Sequence, residues 1–191
     1  MGCSAGKVER DFVKVGRSAD YNKNIPSLTD TQKDAIQKNW QNLKLHIANI
    51  GVMTYVSMFE SRPELIKVFA AFKGKDVSKI QDSGLLQQHA LRVMATIDKC
   101  ITRINQPSDM ISMLHEVGYN HRQYSVPSDD IQIILPHFLS AMKPYIQDKW
   151  CEELEEAWKT FLSLVVYHMK EGIEQTHGDV VHIHKTNTIS I

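Results

Sequence analysis

From residue 27 to residue 172, apolar side chains return every third and fourth position, and no segment there reads as an alternating strand. Spacings of three and four stack side chains on one face of a helix, whereas a strand shows a period of two. This confines the chain to an all-α class. Thr29-x-x-Gln32 is a capping box and opens a helix carrying Ile36, Trp40 and Leu43. Ile47, Ile50, Tyr55, Met58 and Phe59 continue as a second helix until Arg62-Pro63, where proline lacks an amide donor and disfavours helix in the residue before it. The short stretch Pro63 to Phe72 is dense in apolar groups. Two long stripes follow, Leu86, His89, Val93, Ile97, Cys100, Ile101, Ile104 and then Met110, Leu114, Val117, His121.

After Val126-Pro127-Ser128 a further helix has Ile131, Ile134, Leu135, Phe138 and Met142. Pro136 is expected to bend it and Lys143-Pro144 to limit it. The last helix carries Leu154, Trp158, Phe161, Leu162, Val165 and Met169 and is expected to stop at Gly172, a residue suited to the left-handed position after a helix. Six or more helices and no internal repeat result.

The 191 residues make one domain of ordinary size plus extensions: a leader over 1–26, the patterned domain over 27–172 and a polar tail over 173–191. Apolar residues at 42% suffice for a sizeable core, and 22 Lys+Arg balance 22 Asp+Glu. That balance removes the basic footprint on which nucleic-acid binding depends, so no nucleic acid is expected as a partner. The longest uncharged run, Leu45 to Phe59, is fifteen residues, against roughly 20 for a spanning helix. Cys3, Cys100 and Cys151 are odd in number without a cleavable hydrophobic leader, an expectation of a reducing compartment rather than a disulfide scaffold.

Both long stripes contain a histidine where an apolar residue is the norm. Taken singly, His89 or His121 reads as a buried neutral imidazole bonded to backbone. Two of them on apolar faces of separate helices, near the aromatic corner Phe69-Ala70-Ala71-Phe72, suit a flat hydrophobic cofactor containing iron. A zinc site needs three or four close ligands. Cys100 sits eleven residues from His89 with nothing turning it toward His121, so zinc there is disfavoured. His182-x-His184 reads as polar surface of a tail.

These residues together resemble the globins, and within them the neuroglobin and globin X branch, over roughly residues 27 to 172. Trp40 is similar to the tryptophan of the first helix, Pro63 to the proline opening the short third one, and Phe69-x-x-Phe72 to the corner pair whose first member packs on haem. Leu86 to Met94 looks like the distal helix, with His89 as distal histidine and Val93 one turn later. Val117-Gly118-Tyr119-Asn120-His121-Arg122 looks like the proximal helix, with His121 as iron ligand, and Val126 falls where a valine contacts the haem edge. Trp158 completes the combination.

The resemblance implies a globin fold of six to eight helices around a pocket for haem b, binding O2 and related diatomic gases. His121 is expected to bind iron through one ring nitrogen while the other donates to a carbonyl or hydroxyl. His89 either donates a hydrogen bond to O2 or binds the iron itself, in which case apparent affinity falls by the fraction of open sites. Tyr55 stands where neuroglobin-like chains usually have phenylalanine, and is either a donor to the gas or a core aromatic bonded elsewhere. Arg92 either reaches a haem propionate or is a solvated charge.

Gly2 follows the initiator as N-myristoylation requires, and Cys3 stands where palmitoylation often follows, although position 6 is Gly rather than the preferred Ser or Thr. A single myristoyl chain binds membranes only marginally, so Cys3 supplies the second signal. Lys7, Arg10, Lys14, Arg17 and Lys23 outnumber Glu9, Asp11 and Asp20, a bias toward an anionic leaflet. Globin X proteins are similar in this dual-acylated start, which implies attachment to the cytoplasmic face of a membrane, the plasma membrane first. Three functions stay open: gas binding, one-electron reduction of nitrite or lipid peroxides with an unidentified reductase, and redox or gas sensing.

Overall fold

The Thr29 side-chain oxygen accepts from the Gln32 amide at 3.2 Å while the Thr29 amide donates to Gln32 Oε1 at 3.0 Å. Both ends of the capping box are thus closed, and α1 (Asp30–Leu43) begins at once. The computed structural model describes residues 25–69, 72, 74, 76–146 and 149–175. Among the described residues there is no strand, and the α-helices that follow α1 are α2 (Ile47–Ser61), α3 (Val77–Gln81), α4 (Gly84–Thr102), α5 (Pro107–His121), α6 (Ile134–Ile146) and α7 (Glu152–Glu174). Short 3-10 turns join several of them, including Pro63–Val68 and Ser128–Ile133. No helix among them is long and apolar enough to cross a membrane.

Three expectations about helix limits are corrected. The segment 128–133 is 3-10, so α6 starts at Ile134 and Pro136 lies in its first turn. An amide there has no partner inside the helix, so proline at this position costs no helical hydrogen bond. Pro144 does not end α6, which continues to Ile146. Gly172 does not end α7 either: the helix runs on to Glu174, and Gly172 is buried within it.

The reason for that glycine is the crossing of α5 and α7. A Cβ on Gly172 would lie 2.2 Å from the His115 carbonyl oxygen, and one on Gly118 would lie 2.1 Å from that of Met169. Each helix therefore needs a residue without a side chain where it meets the other's backbone. Glycine costs helix propensity, about 1 kcal/mol relative to alanine, and here that cost permits close contact.

Apolar faces of α1, α4, α5, α6 and α7 meet in one core, which includes Ile36, Trp40, Leu114, Phe138 and Trp158. The Trp40 and Trp158 rings lie 6.0 Å apart. Burying an indole requires a partner for its N–H. Trp40 donates to Asp98 Oδ1 at 2.7 Å, and Trp158 to Asn39 Oδ1 at 2.9 Å. A second, smaller core gathers Tyr55, Phe59, Leu65, Phe72, Leu86 and Ala90, with Phe69 and Val93 packed against it. The leader, including Gly2 and Cys3, and the tail with His182 and His184 lie outside the described residues.

Candidate functional site

α4 turns Leu86, Ala90 and Met94 fully inward, which leaves His89 and Val93 half-buried on the flank of that stripe. The flank faces the smaller aromatic core. Phe69 stands edge-on to the His89 ring with centroids 5.3 Å apart, and edge-on to Tyr55 at 5.9 Å. It also packs edge-on against Phe59 at 5.3 Å and stacks on Phe72 at 5.8 Å. Edge-to-face contacts of this kind fix ring orientation as well as excluding water. The sequence placed these aromatics near one another, and the structure brings Tyr55, Phe69, Phe72, His89 and Val93 into one cluster.

Tyr55 is 5% exposed, and its hydroxyl lies 2.8 Å from Nε2 of His89. Burial pushes the phenol pKa up, which keeps it protonated. The His89 imidazole is pushed down to about 4, first by burial and then by the electrostatic influence of His121 and Arg92. A neutral His89 keeps a lone pair available, the form in which imidazole acts as a ligand or acceptor.

His121 is the last residue of α5, and its Nδ1 donates to the Val117 carbonyl at 2.7 Å. A carbonyl only accepts, so the proton sits on Nδ1 and Nε2 of the neutral ring holds the lone pair. No hydrogen bond among the described residues engages that Nε2. An oriented imidazole whose second nitrogen is anchored to backbone is the usual arrangement of a histidine that ligates a metal. The donor set and the apolar rings beside it therefore fit a haem group.

Arg92 and Val126 are set apart from this cluster. Arg92 is exposed and its Nε donates to the Gln88 carbonyl at 3.3 Å, so it lies on the outer side of α4. Val126 is half-buried and follows Ser125, whose φ of 54° turns the chain after α5. Cys100 and Cys151 are both free. Cys100 is buried in the larger core, where burial pushes its thiol up to about 12, while Cys151 is exposed ahead of α7.

A further group escaped the sequence reading. His115 of α5 and His168 and Glu171 of α7 meet beside the glycine crossing: Glu171 Oε2 accepts from His168 Nδ1 at 2.7 Å and from His115 Nε2 at 3.1 Å. Burial pushes the Glu171 carboxyl up, but bonds from His168, His115 and Tyr167 outweigh it and leave the pKa below its ordinary value. The signal available beforehand was His168-x-x-Glu171, one turn apart on one helix face.

The family model described as Globin matches residues 52–169. Cytoglobin-2 of Oryzias latipes is 24% identical over 159 residues, covering 82% of this chain and 89% of that protein. An anaerobic nitrite reductase of Gossypium hirsutum is 23% identical, covering 68% of this chain and 81% of that protein. Among solved structures, a hexacoordinated haem protein from an anhydrobiotic tardigrade superposes with a TM-score of 0.74 at 18% identity, covering 78% of this chain and 97% of that one.

Proposed function

Since the chain belongs to the globin family and its cofactor is haem b, we propose that it binds O2 and related diatomic gases with His121 as the permanent iron ligand and His89 as a displaceable second one. The observation that carries this is the bond from His121 Nδ1 to Val117, which leaves Nε2 as the lone-pair nitrogen. Haem supplies reversible coordination of diatomic gases and one-electron chemistry. The chain's residues supply the rest. Phe69, Phe72 and Val93 form apolar walls that exclude water, while Val126 and Arg92, outside that cluster, would meet the haem edge and a propionate once the group is bound.

Tyr55 gives His89 an alternative partner. While Nε2 of His89 is held by the Tyr55 hydroxyl at 2.8 Å, it is not free to ligate. Exchange of that nitrogen between two partners sets the fraction of open sites and scales apparent gas affinity by that fraction. The hexacoordinated tardigrade protein of like fold supports this reading. Absorption spectra of the ferric, deoxy-ferrous and CO-bound protein test it. The expected deoxy-ferrous form is six-coordinate and low-spin; a five-coordinate high-spin form removes His89 from the ligand set.

A second reading is one-electron reduction of nitrite, which takes one electron and two protons to give NO and water. The relative named a nitrite reductase and the phenolic proton of Tyr55 beside His89 favour it. The electron comes from an external reductase. For location, we propose a tether to the cytoplasmic face of a membrane through acyl groups on Gly2 and Cys3, resting on the start Met1-Gly2-Cys3.

A further inference from the structure

His115 and the pair His168 and Glu171 form a group separate in its hydrogen bonds from His89 and His121, and their ligand atoms all lie within 4.8 Å of one another. We propose that these three side chains bind a divalent transition-metal ion of the zinc type, bridging α5 and α7. Two imidazole nitrogens and one carboxylate oxygen are a donor set for zinc, leaving the fourth tetrahedral position to water. Magnesium and calcium prefer oxygen ligands throughout, so they are poorly matched to it.

The separations bracket those of such a site, the carboxylate contacts a little short of them and every pair within 4.8 Å. Ligand atoms about 2.0–2.1 Å from a tetrahedral ion lie about 3.3–3.4 Å from each other. Glu171 Oε2 is 3.1 Å from His115 Nε2 and 2.7 Å from His168 Nδ1, so small side-chain adjustments admit an ion in place of the bridging ring protons. Each imidazole then carries its proton on its other nitrogen and remains neutral.

Outer contacts are already in place. The Gln175 amide meets His115 Nδ1 at 3.1 Å, and half a turn of that carboxamide presents its oxygen to an Nδ1–H. Tyr167 hydrogen-bonds Glu171. Such outer bonds orient ligands and raise their basicity. Position is fixed by backbone rather than by long side chains: Gly172 faces the His115 carbonyl directly, one residue after Glu171. His168 is 5% exposed, which shields the site on one side. An ion here staples α5 to α7 and so steadies the helix that ends in His121.

The test uses the full haem-loaded chain in a His182→Ala, His184→Ala background, which removes the tail pair. Zinc alone is the probe, measured by equilibrium dialysis with elemental analysis and by thermal unfolding. The expected result is one zinc per chain and a raised melting temperature. In Glu171→Gln, and separately in His115→Asn, zinc affinity falls by at least about tenfold, since loss of outer-shell contacts alone costs 10–100-fold, and the thermal shift disappears. Haem content and circular dichroism verify that both variants fold. No zinc retained by the background chain, or zinc retained equally by both variants, overturns the proposal and leaves the cluster as a hydrogen-bonded contact between helices.

Discussion

The hydroxyl of Tyr55 lies 2.8 Å from Nε2 of His89, so a buried phenol and a half-buried imidazole hold each other across the gap between α2 and α4. Removing the hydroxyl has two effects of the same sign on O2. It deletes a hydrogen-bond donor and it releases His89 to compete for iron. Tyr55→Phe is expected to lower O2 affinity roughly two- to thirteen-fold, the equivalent of a net hydrogen bond of about 0.5–1.5 kcal/mol. CO separates the two effects, since it gains little from a donor. Loss of CO affinity in parallel assigns the hydroxyl to His89; unchanged CO affinity assigns it to the gas. A rise in O2 affinity contradicts both.

Haem retention is expected to depend on His121 far more than on His89, because of the two only His121 has an Nε2 that no described residue engages. His121→Ala purifies with little haem, and added imidazole restores it in part. His89→Ala keeps haem in full. The ratio of haem absorbance to protein on purification reads the difference, and full haem with an unchanged axial spectrum in His121→Ala would falsify the assignment.

The glycine crossing predicts an ordering of alanine substitutions in urea unfolding. Gly118→Ala and Gly172→Ala drive a methyl into backbone oxygen at 2.1 and 2.2 Å, which only separation of α5 and α7 relieves. Each is expected to lose about 1–3 kcal/mol, the usual range for overpacking, and to fall at its upper end. Gly84, at the open start of α4, has nothing within 4 Å of its added methyl. Gly84→Ala is expected to gain about 0.4–1 kcal/mol through the unfolded chain.

Gly2→Ala is expected to move the protein to the soluble fraction of cells, because loss of myristate also removes the transient membrane contact that lets Cys3 be acylated. Cys3→Ser is expected to leave weak, reversible attachment. Labelling with fatty-acid analogues followed by fractionation checks both. An unlabelled wild-type chain found wholly in the soluble fraction eliminates the tether.

Helix positions were legible because single-helix patterns carry them: the Thr29–Gln32 box, the stripes ending in His121, and the aromatic corner at Phe69. What a lone helix cannot show is what another helix places against it. Gly172 looks like a terminator until α5 is laid across it, and Pro136 looks like a kink until the preceding turn proves to be 3-10. His115 reads as one more polar residue on α5; only the crossing brings it to Glu171. The Tyr55–His89 bond is of the same kind, its ends 34 positions apart in the chain.

Asn39 and Trp158, bonded at 2.9 Å, stand 119 residues apart, the first on α1 and the second on α7. Of the described helices, these emerge first and last from the ribosome. Asp98 is available to Trp40 once α4 has been made, but α1 has no cover from Trp158 until synthesis of the domain is nearly complete. Until then Ile36, Trp40 and Leu43 offer a sticky surface to any neighbouring nascent chain. Closing so long a loop adds only a logarithmic entropy cost, so the delay comes from the order of translation. A chain truncated before α7 is therefore expected to leave the apolar face of α1 without the cover that Trp158 gives it.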